Sequence, residues 1–259
     1  MTRKAGMLAT ALLGGLLAAG WLVTPPTNAQ IFGLSESQEV ELGREAARQV
    51  EREQPILRDE QVTDYVNAVG QRIARRSKRN DIPYRFMVVD SPDINALALP
   101  GGFAYVNRGL IEAADNESEL AGVIGHEIGH MVARHSVKQI EKADMANVGL
   151  AILGAALGGR GGALTGLAQI GSQVGASAAF MKFSRDDERQ ADRRGVQNLY
   201  EAGYNPEGMV TFFGKLAELQ KSQPSKLETF FSTHPNPAER AANVSREIGL
   251  LPRLGDLIT

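Results

Sequence analysis

Apolar positions recur along this chain at two spacings, and the change between them marks its elements. From Ser35 to about Arg76 they fall three and four apart, with Leu42, Ala46 and Val50 in one series and Val62, Tyr65, Val66, Val69 and Ile73 in another. That period predicts two helices, each burying one face. From Tyr84 to Asp90 the residues become aromatic and branched, and Ser91, Pro92 and Asp93 follow, which predicts a strand and a turn. Pro100, Gly101 and Gly102 signal a second turn, after which Phe103 to Asn107 reads as a second strand. Helical spacing returns at Leu120, Val123, Ile124, Ile128 and Met131, behind an Asn116 cap with Glu119 three residues on.

Three glycines, Gly122, Gly125 and Gly129, interrupt that helix. Each weakens it by up to about 1 kcal/mol relative to alanine, so a close neighbour is expected along that face. Ser184 with Asp187 predicts a further helix that stops at Gly203, and Asn236 with Pro237 and Glu239 starts a last one. Between these, Val148 to Phe180 is dominated by glycine and alanine. Its 21 uncharged residues between Arg160 and Lys182 equal a bilayer crossing in length, but Gln169, Ser172, Gln173 and Ser177 make it a poor spanning helix. Residues 148–181 are expected to form a helical segment, either core or a cover over a site. No repeat recurs. The fold class expected is α+β, predominantly helical, with a small β-sheet.

Charge and composition narrow the partners. Arg3 and Lys4 precede an apolar run from Met7 to Val23 and the small-residue site ending at Ala29, the layout of a secretory signal peptide over residues 1–29; the rival reading is an uncleaved anchor. Without that leader the chain carries 26 basic against 30 acidic side chains, a formal charge of −4. Nucleic acid is therefore not an expected partner. There is no cysteine, hence neither a disulfide framework nor a thiolate ligand. A periplasmic or otherwise exported protein is expected, soluble or in peripheral contact with a membrane. The basic run from Arg72 to Arg79 suits anionic lipid or, more simply, a solvated helix end.

Against this background the histidines stand out, because three of the four lie within ten positions, at His126, His130 and His135. His126-Glu127-Ile128-Gly129-His130 is the H-E-x-x-H pattern, which on a helix stacks two imidazoles on one face within reach of one ion. Glu127, turned about 100° from His126, stands where it can hold and deprotonate a water. Catalytic zinc takes three protein ligands and leaves one position open. A helix continued to His135 carries that residue roughly 140° away from His130, so it is read as packing or hydrogen bonding. Spacing alone leaves Asp186, Asp187 and Glu188 as rival third ligands. With Glu188 and Asp192 four apart on one helix, one is able to ligate while the other orients a histidine.

Four blocks in order, INALALPGGFAYVNRGLI from Ile94, HEIGHMVARHS from His126, SRDDERQAD from Ser184 and FSTHPNPAER from Phe231, resemble the zinc peptidase family that includes the heat-shock protease HtpX, the CAAX prenyl endopeptidases and BepA. The likeness runs from about Ser35 to Arg246. It implies a zincin-like, mostly helical peptidase domain over residues 30–259 and one Zn2+ per chain. The ligands would be His126, His130 and Glu188, with Asp192 behind them. The spanning helices of some relatives and the helical repeats of others are not found here, so docking surfaces are not carried over.

The remaining expectations concern the reaction. Ala104 and Val106 would lie on an edge strand that pairs with extended substrate, the alternative being an interior strand with no free edge. His234, in a loop before a helix start, would stabilise an oxyanion, donate a proton or occupy the open metal position, a plain turn histidine being the other reading. Arg240 is a second oxyanion candidate, a surface salt bridge being the plain alternative. The function expected is zinc-dependent hydrolysis of peptide bonds in unfolded or misassembled envelope proteins. The alternative is a chaperone-like binding module that keeps the zinc fold with little or latent proteolysis.

Overall fold

The structure is a computed structural model and describes residues 33–143, 168, 170–174, 182–235, 237–252 and 255–259. Both helices expected before the first strand are present, and each begins on a side-chain cap. Ser35 and Gln38 cap one another reciprocally at the start of α1 (Glu36–Glu53), and Asp59 accepts the Val62 N–H to start α2 (Glu60–Ala74). The chain then forms β1 (Arg85–Val89), β2 (Ala96–Ala98), a 3₁₀ turn at Pro100–Gly102 and β3 (Phe103–Asn107). Gly101, at φ 70°, takes a left-handed conformation with its Cα side pressed on the backbone of Val40, a position closed to a Cβ. After α3 (Arg108–Ala113) come α4 (Glu117–Ala133) and α5 (His135–Ala143). The rest is helical: α6 (Arg185–Ala202), α7 (Glu207–Ser222), a 3₁₀ turn at Pro224–Leu227, α8 (Glu228–Thr233) and α9 (Pro237–Ile248).

The three strands order as β1-β3-β2, with β3 parallel to β1 and antiparallel to β2. This corrects the expectation for Ala104 and Val106. Ala104 is paired with Phe86 on one side and Ala98 on the other, and Val106 with Val88 and Ala96. Neither has a free edge for a substrate. The physical reason is burial on both faces: Phe103 and Tyr105 pack with α1, while Ala104 and Val106 join the larger core containing α2, α4 and α7. On the outer strand β2, the bonds Leu99 N–H to Phe103 O and Asn107 N–H to Asn95 O fix which residues exchange hydrogen bonds with β3. By alternation, Ala96 and Ala98 point their backbone groups the other way. The edge beside α4 therefore belongs to β2.

Helix α4 has no exposed face from Ser118 to Ala133. Its start is fastened by Glu117, which accepts from the hydroxyls of Tyr65 (2.9 Å) and Tyr204 (2.8 Å), and by Glu119, which accepts from Lys215 (2.7 Å). Its end is held by a charge cluster centred on Glu39 of α1, which is 1% exposed. That carboxylate accepts from Arg79 (2.9 and 3.2 Å), Arg134 (2.7 Å) and the Gly101 N–H (3.3 Å). Removing one partner from such a buried set typically costs about 3–5 kcal/mol, because a charge is left unpaired. The cluster ties α1 to the end of α4 and to the turn before β3.

The basic run is engaged with protein at two points: Arg79 at Glu39, and Arg72 at the Ala202 carbonyl (2.8 Å) and over the Tyr204 ring. Among the described residues no helix is long and apolar enough to cross a membrane. The leader expected over residues 1–29 and the cap at Asn236 lie outside the described residues. So does the 148–181 segment, apart from residue 168 and residues 170–174, which are helical; Ile170 and Val174 join the apolar cluster beneath α1, and the Ser172 hydroxyl donates to Gln49.

Candidate metal centre

The glycines of α4 meet the close neighbours their cost requires. A Cβ on Gly122 would touch Met209, one on Gly125 would touch the Leu199 side chain, and one on Gly129 would stand 2.4 Å from the Ala191 carbonyl oxygen. A Cβ on Gly195 of α6 would stand 3.2 Å from the His126 backbone nitrogen of α4. The small residues of α4 and α6 let the two backbones approach, and the approach brings Glu188 and Asp192 of α6 against His126 and His130 of α4. Replacing Gly129 by alanine improves helix propensity by about 1 kcal/mol. A backbone oxygen does not yield, however, and overpacking costs about 1–3 kcal/mol. We expect Gly129→Ala to lower the melting temperature and weaken zinc binding together, as thermal unfolding and a zinc titration of the purified variant will read.

His126, His130, Glu188 and His234 each direct a donor atom into a common space, all four within 4.8 Å of one another and all buried. The Nε2 atoms of His126 and His130 are 3.0 Å apart, and the Glu188 oxygens stand 3.6 and 3.4 Å from them respectively. His234 Nδ1 is 3.0 Å from Glu188 Oε1 and 3.4 Å from His126 Nε2. A tetrahedral zinc with bonds near 2.0–2.1 Å spaces its ligands about 3.3 Å apart, so these residues fit the ion. The donors, imidazole nitrogen and carboxylate oxygen, are those zinc takes where no thiolate is offered.

Of the rival carboxylates, Glu188 is the one in the cluster. Asp186 is exposed, and Asp187 caps α6 by accepting from Ser184. Asp192 Oδ1 lies 2.9 Å from His126 Nδ1, the remaining nitrogen of that ring. Arg240 is 2% exposed, so the surface-salt-bridge alternative does not apply. Its Nε and Nη2 donate to Asp192 at 3.0 and 2.7 Å, its Nη1 lies 3.0 Å from Glu188 Oε2, and the guanidinium rests 4.0 Å over the Phe213 ring.

The electrostatics sort the groups into ligands and counter-charges. Burial would raise the Glu188 carboxyl, yet Arg240 and His234 beside it hold it well below the usual range. Burial likewise opposes the charged form of Asp192, and Arg240 with His126 overrides it downwards. Burial, reinforced by His126, pushes His130 well below the ordinary imidazole value, which keeps it in the neutral form a metal requires. His234 goes the other way: burial lowers it, but Glu188 raises it more.

Glu127 is 1% exposed, and neither carboxylate oxygen has a hydrogen-bond partner among the described residues. An isolated buried carboxylate is costly, and each such orphan in a native structure calls for a missing group. A water held at a metal is such a group, and His234 Nε2 stands 3.7 Å from Glu127 Oε1.

Two features escaped the sequence reading. Helix α4 ends at Ala133, and Arg134 takes a left-handed φ of 58°, so His135 starts α5 instead of continuing the turn. Its Nδ1 consequently lies 2.9 Å from His130 Nδ1, directly behind that ring. Phe183 packs on the other side of His130, with ring centroids 4.0 Å apart. Its signal was its place, an apolar residue immediately before the Ser184 cap, where a helix entry is commonly anchored.

Comparison with known proteins adds an independent line. The model of peptidase family M48 matches residues 60–248. The beta-barrel assembly-enhancing protease of Yersinia pestis is 33% identical over 88% of this chain and 48% of its own length. The metalloprotease LoiP of Escherichia coli K12 is 31% identical, covering 83% of this chain and 82% of its own length. The mitochondrial metalloendopeptidase OMA1 of Schizosaccharomyces pombe is 30% identical over 70% of this chain and 52% of its own length. The chain spans about half the length of the beta-barrel assembly-enhancing proteases it matches.

Proposed function

This chain belongs to peptidase family M48, and from that premise we propose that it is a zinc-dependent endopeptidase. The observation that carries the proposal is Glu127: a buried carboxylate without partners, set beside four convergent metal donors. A module that only binds has no use for it, since glutamine would fill the same space without a charge.

His126, His130 and Glu188 are read as the ligands of one zinc ion per chain, with Asp192 fixing His126 through Nδ1. Zinc held there supplies Lewis-acid polarisation of a carbonyl and lowers the pKa of a bound water toward 7. Glu127, buried beside these donors with no partner among the described residues, would take a proton from an attacking water and give it to the leaving amine. His234 also directs a donor atom into the cluster; it would have to leave that space for a substrate carbonyl to enter, and from beside Glu127 it could stabilise charge developing on the carbonyl oxygen. Arg240 holds Asp192 through Nε and Nη2 and faces Glu188 Oε2 with Nη1 at 3.0 Å; its buried guanidinium beside the donor cluster is read as the second group able to stabilise an oxyanion. Substrate is read as an added strand on β2, where Ala96 and Ala98 direct their backbone groups away from β3; the Ala98 carbonyl accepts from the Ser136 hydroxyl at 3.4 Å, a bond that pairing with substrate would share or replace. Such pairing recognises backbone more than sequence, which selects extended, unfolded chains.

The apolar leader supports an exported protein, read as periplasmic with one peptidase domain following residues 1–29, and the relatives named for beta-barrel assembly support action on unfolded or misassembled envelope proteins. Peripheral membrane contact fits the same reading. The test is cleavage by the purified protein of an outer-membrane β-barrel protein offered folded and unfolded, before and after a chelator. Cutting confined to the unfolded form, abolished by the chelator and restored by zinc, is the expected result. Cleavage that survives complete metal removal overturns the mechanism; equal cutting of both forms overturns the substrate class.

A further inference from the structure

We propose that His135 and Gln190 form a relay that fixes the tautomer of His130 and so prepares its Nε2 for zinc. This rests on the reading of His130 as a zinc ligand. His126 has a carboxylate, Asp192, behind its Nδ1, whereas His130 has another imidazole in the same place, His135 Nδ1 at 2.9 Å. Two facing ring nitrogens share one proton, and which ring carries it is decided farther out. His135 Nε2 lies 2.9 Å from Gln190 Oε1 and 3.4 Å from Asp187 Oδ1. The Asp187 carboxylate only accepts and Gln190 presents its amide oxygen, so the neutral His135 carries its proton on Nε2 and presents a bare Nδ1 inward. His130 must then donate from Nδ1–H, which leaves the Nε2 lone pair, 3.0 Å from His126 Nε2, directed into the donor cluster. The opposite tautomer would place a proton where the ion belongs.

The parts are held for this purpose. His135 is 2% exposed, and the left-handed Arg134 that swings it behind His130 is locked by its bonds to Glu39 Oε2 and the Leu34 carbonyl, each 2.7 Å. Phe183 covers the His130 ring and removes water as a competing acceptor. Gln190 sits on α6 between Glu188 and Asp192, so one helix supplies a ligand, the orienter of the first histidine and the end of the relay to the second. His135 and Gln190 are positioning residues in this scheme, acting on the metal only through His130.

The test uses the full chain with its histidines labelled with ¹⁵N, of which there are only four. A through-hydrogen-bond coupling between the Nδ1 atoms of His130 and His135, with the proton on His130, is expected. Zinc affinity is then measured by competition with a chromophoric chelator for three proteins. His135→Phe keeps a ring but removes the acceptor, and a fall of about 10–100-fold is expected, the usual range for losing a group behind a metal ligand. His135→Asn places an amide oxygen near the lost Nδ1 and is expected to restore affinity to within about threefold of the parent. Equal weakening in both variants, or a His130 that carries its proton on Nε2, overturns the relay. If the parent chain binds no zinc the ligand reading fails, and the coupling alone then decides the tautomer.

Discussion

Glu127→Gln is expected to lower kcat/KM on an unfolded polypeptide by about 10²–10⁴-fold while zinc per chain stays at one. The loss corresponds to roughly 3–5 kcal/mol of transition-state stabilisation at about 1.4 kcal/mol per factor of ten. The substitution is nearly isosteric, so the space beside the ion remains filled. What disappears is the ability to take a proton and give it back. The same exchange removes a carboxylate that is buried and unpartnered among the described residues. The metal-free variant should therefore melt higher than the metal-free parent, by about 2–4 °C for each kcal/mol of relieved strain. Activity down and stability up is the signature of a group kept for chemistry at a cost to the fold. A variant with unchanged turnover excludes Glu127 as the base.

The second large effect is at Glu188. Alanine there removes a ligand and also leaves Arg240 Nη1 without its nearest counter-charge, 3.0 Å away in the parent. Losing a ligand outright should weaken zinc by more than the roughly 10–100-fold seen when only a supporting residue is lost. The Glu188→Ala chain should therefore be isolated without metal and without activity. Aspartate, one methylene shorter, keeps the charge but stops short of the ion, so partial occupancy is expected. Retention of one tightly held zinc by Glu188→Ala would mean that His234 or another group is the third ligand.

Much of this centre is written locally and was legible in the chain. Two histidines four apart on a helix have only one geometry, and the Ser184 cap with the Gly203 stop set α6 in register. Gly122, Gly125 and Gly129 announced a close helix crossing, and the partners, Met209, Leu199 and Ala191, are what that crossing brings together. The strand β3 was misjudged although its signal was present. Phe103 to Val106 contains no polar position on either face, the mark of a strand buried on both sides, not of an edge. His135 had no such signal. The helix breaks on an arginine in a left-handed conformation, where glycine or asparagine would have announced a stop, and the contacts that hold Arg134 there come from Glu39 and Leu34, about a hundred residues earlier. Which carboxylate meets the histidines was likewise a tertiary matter, settled by how closely α4 and α6 approach.

That one zinc ion sits between His126, His130 and Glu188 is tested most directly by zinc-edge X-ray absorption on the purified protein, beside its Glu188→Ala variant. Two or three imidazole nitrogens and carboxylate oxygen at about 2.0–2.1 Å are predicted for the parent, with the carboxylate contribution gone and the metal largely lost in the variant. A shell of six oxygens in the parent, or a spectrum unchanged by removing Glu188, would contradict the account.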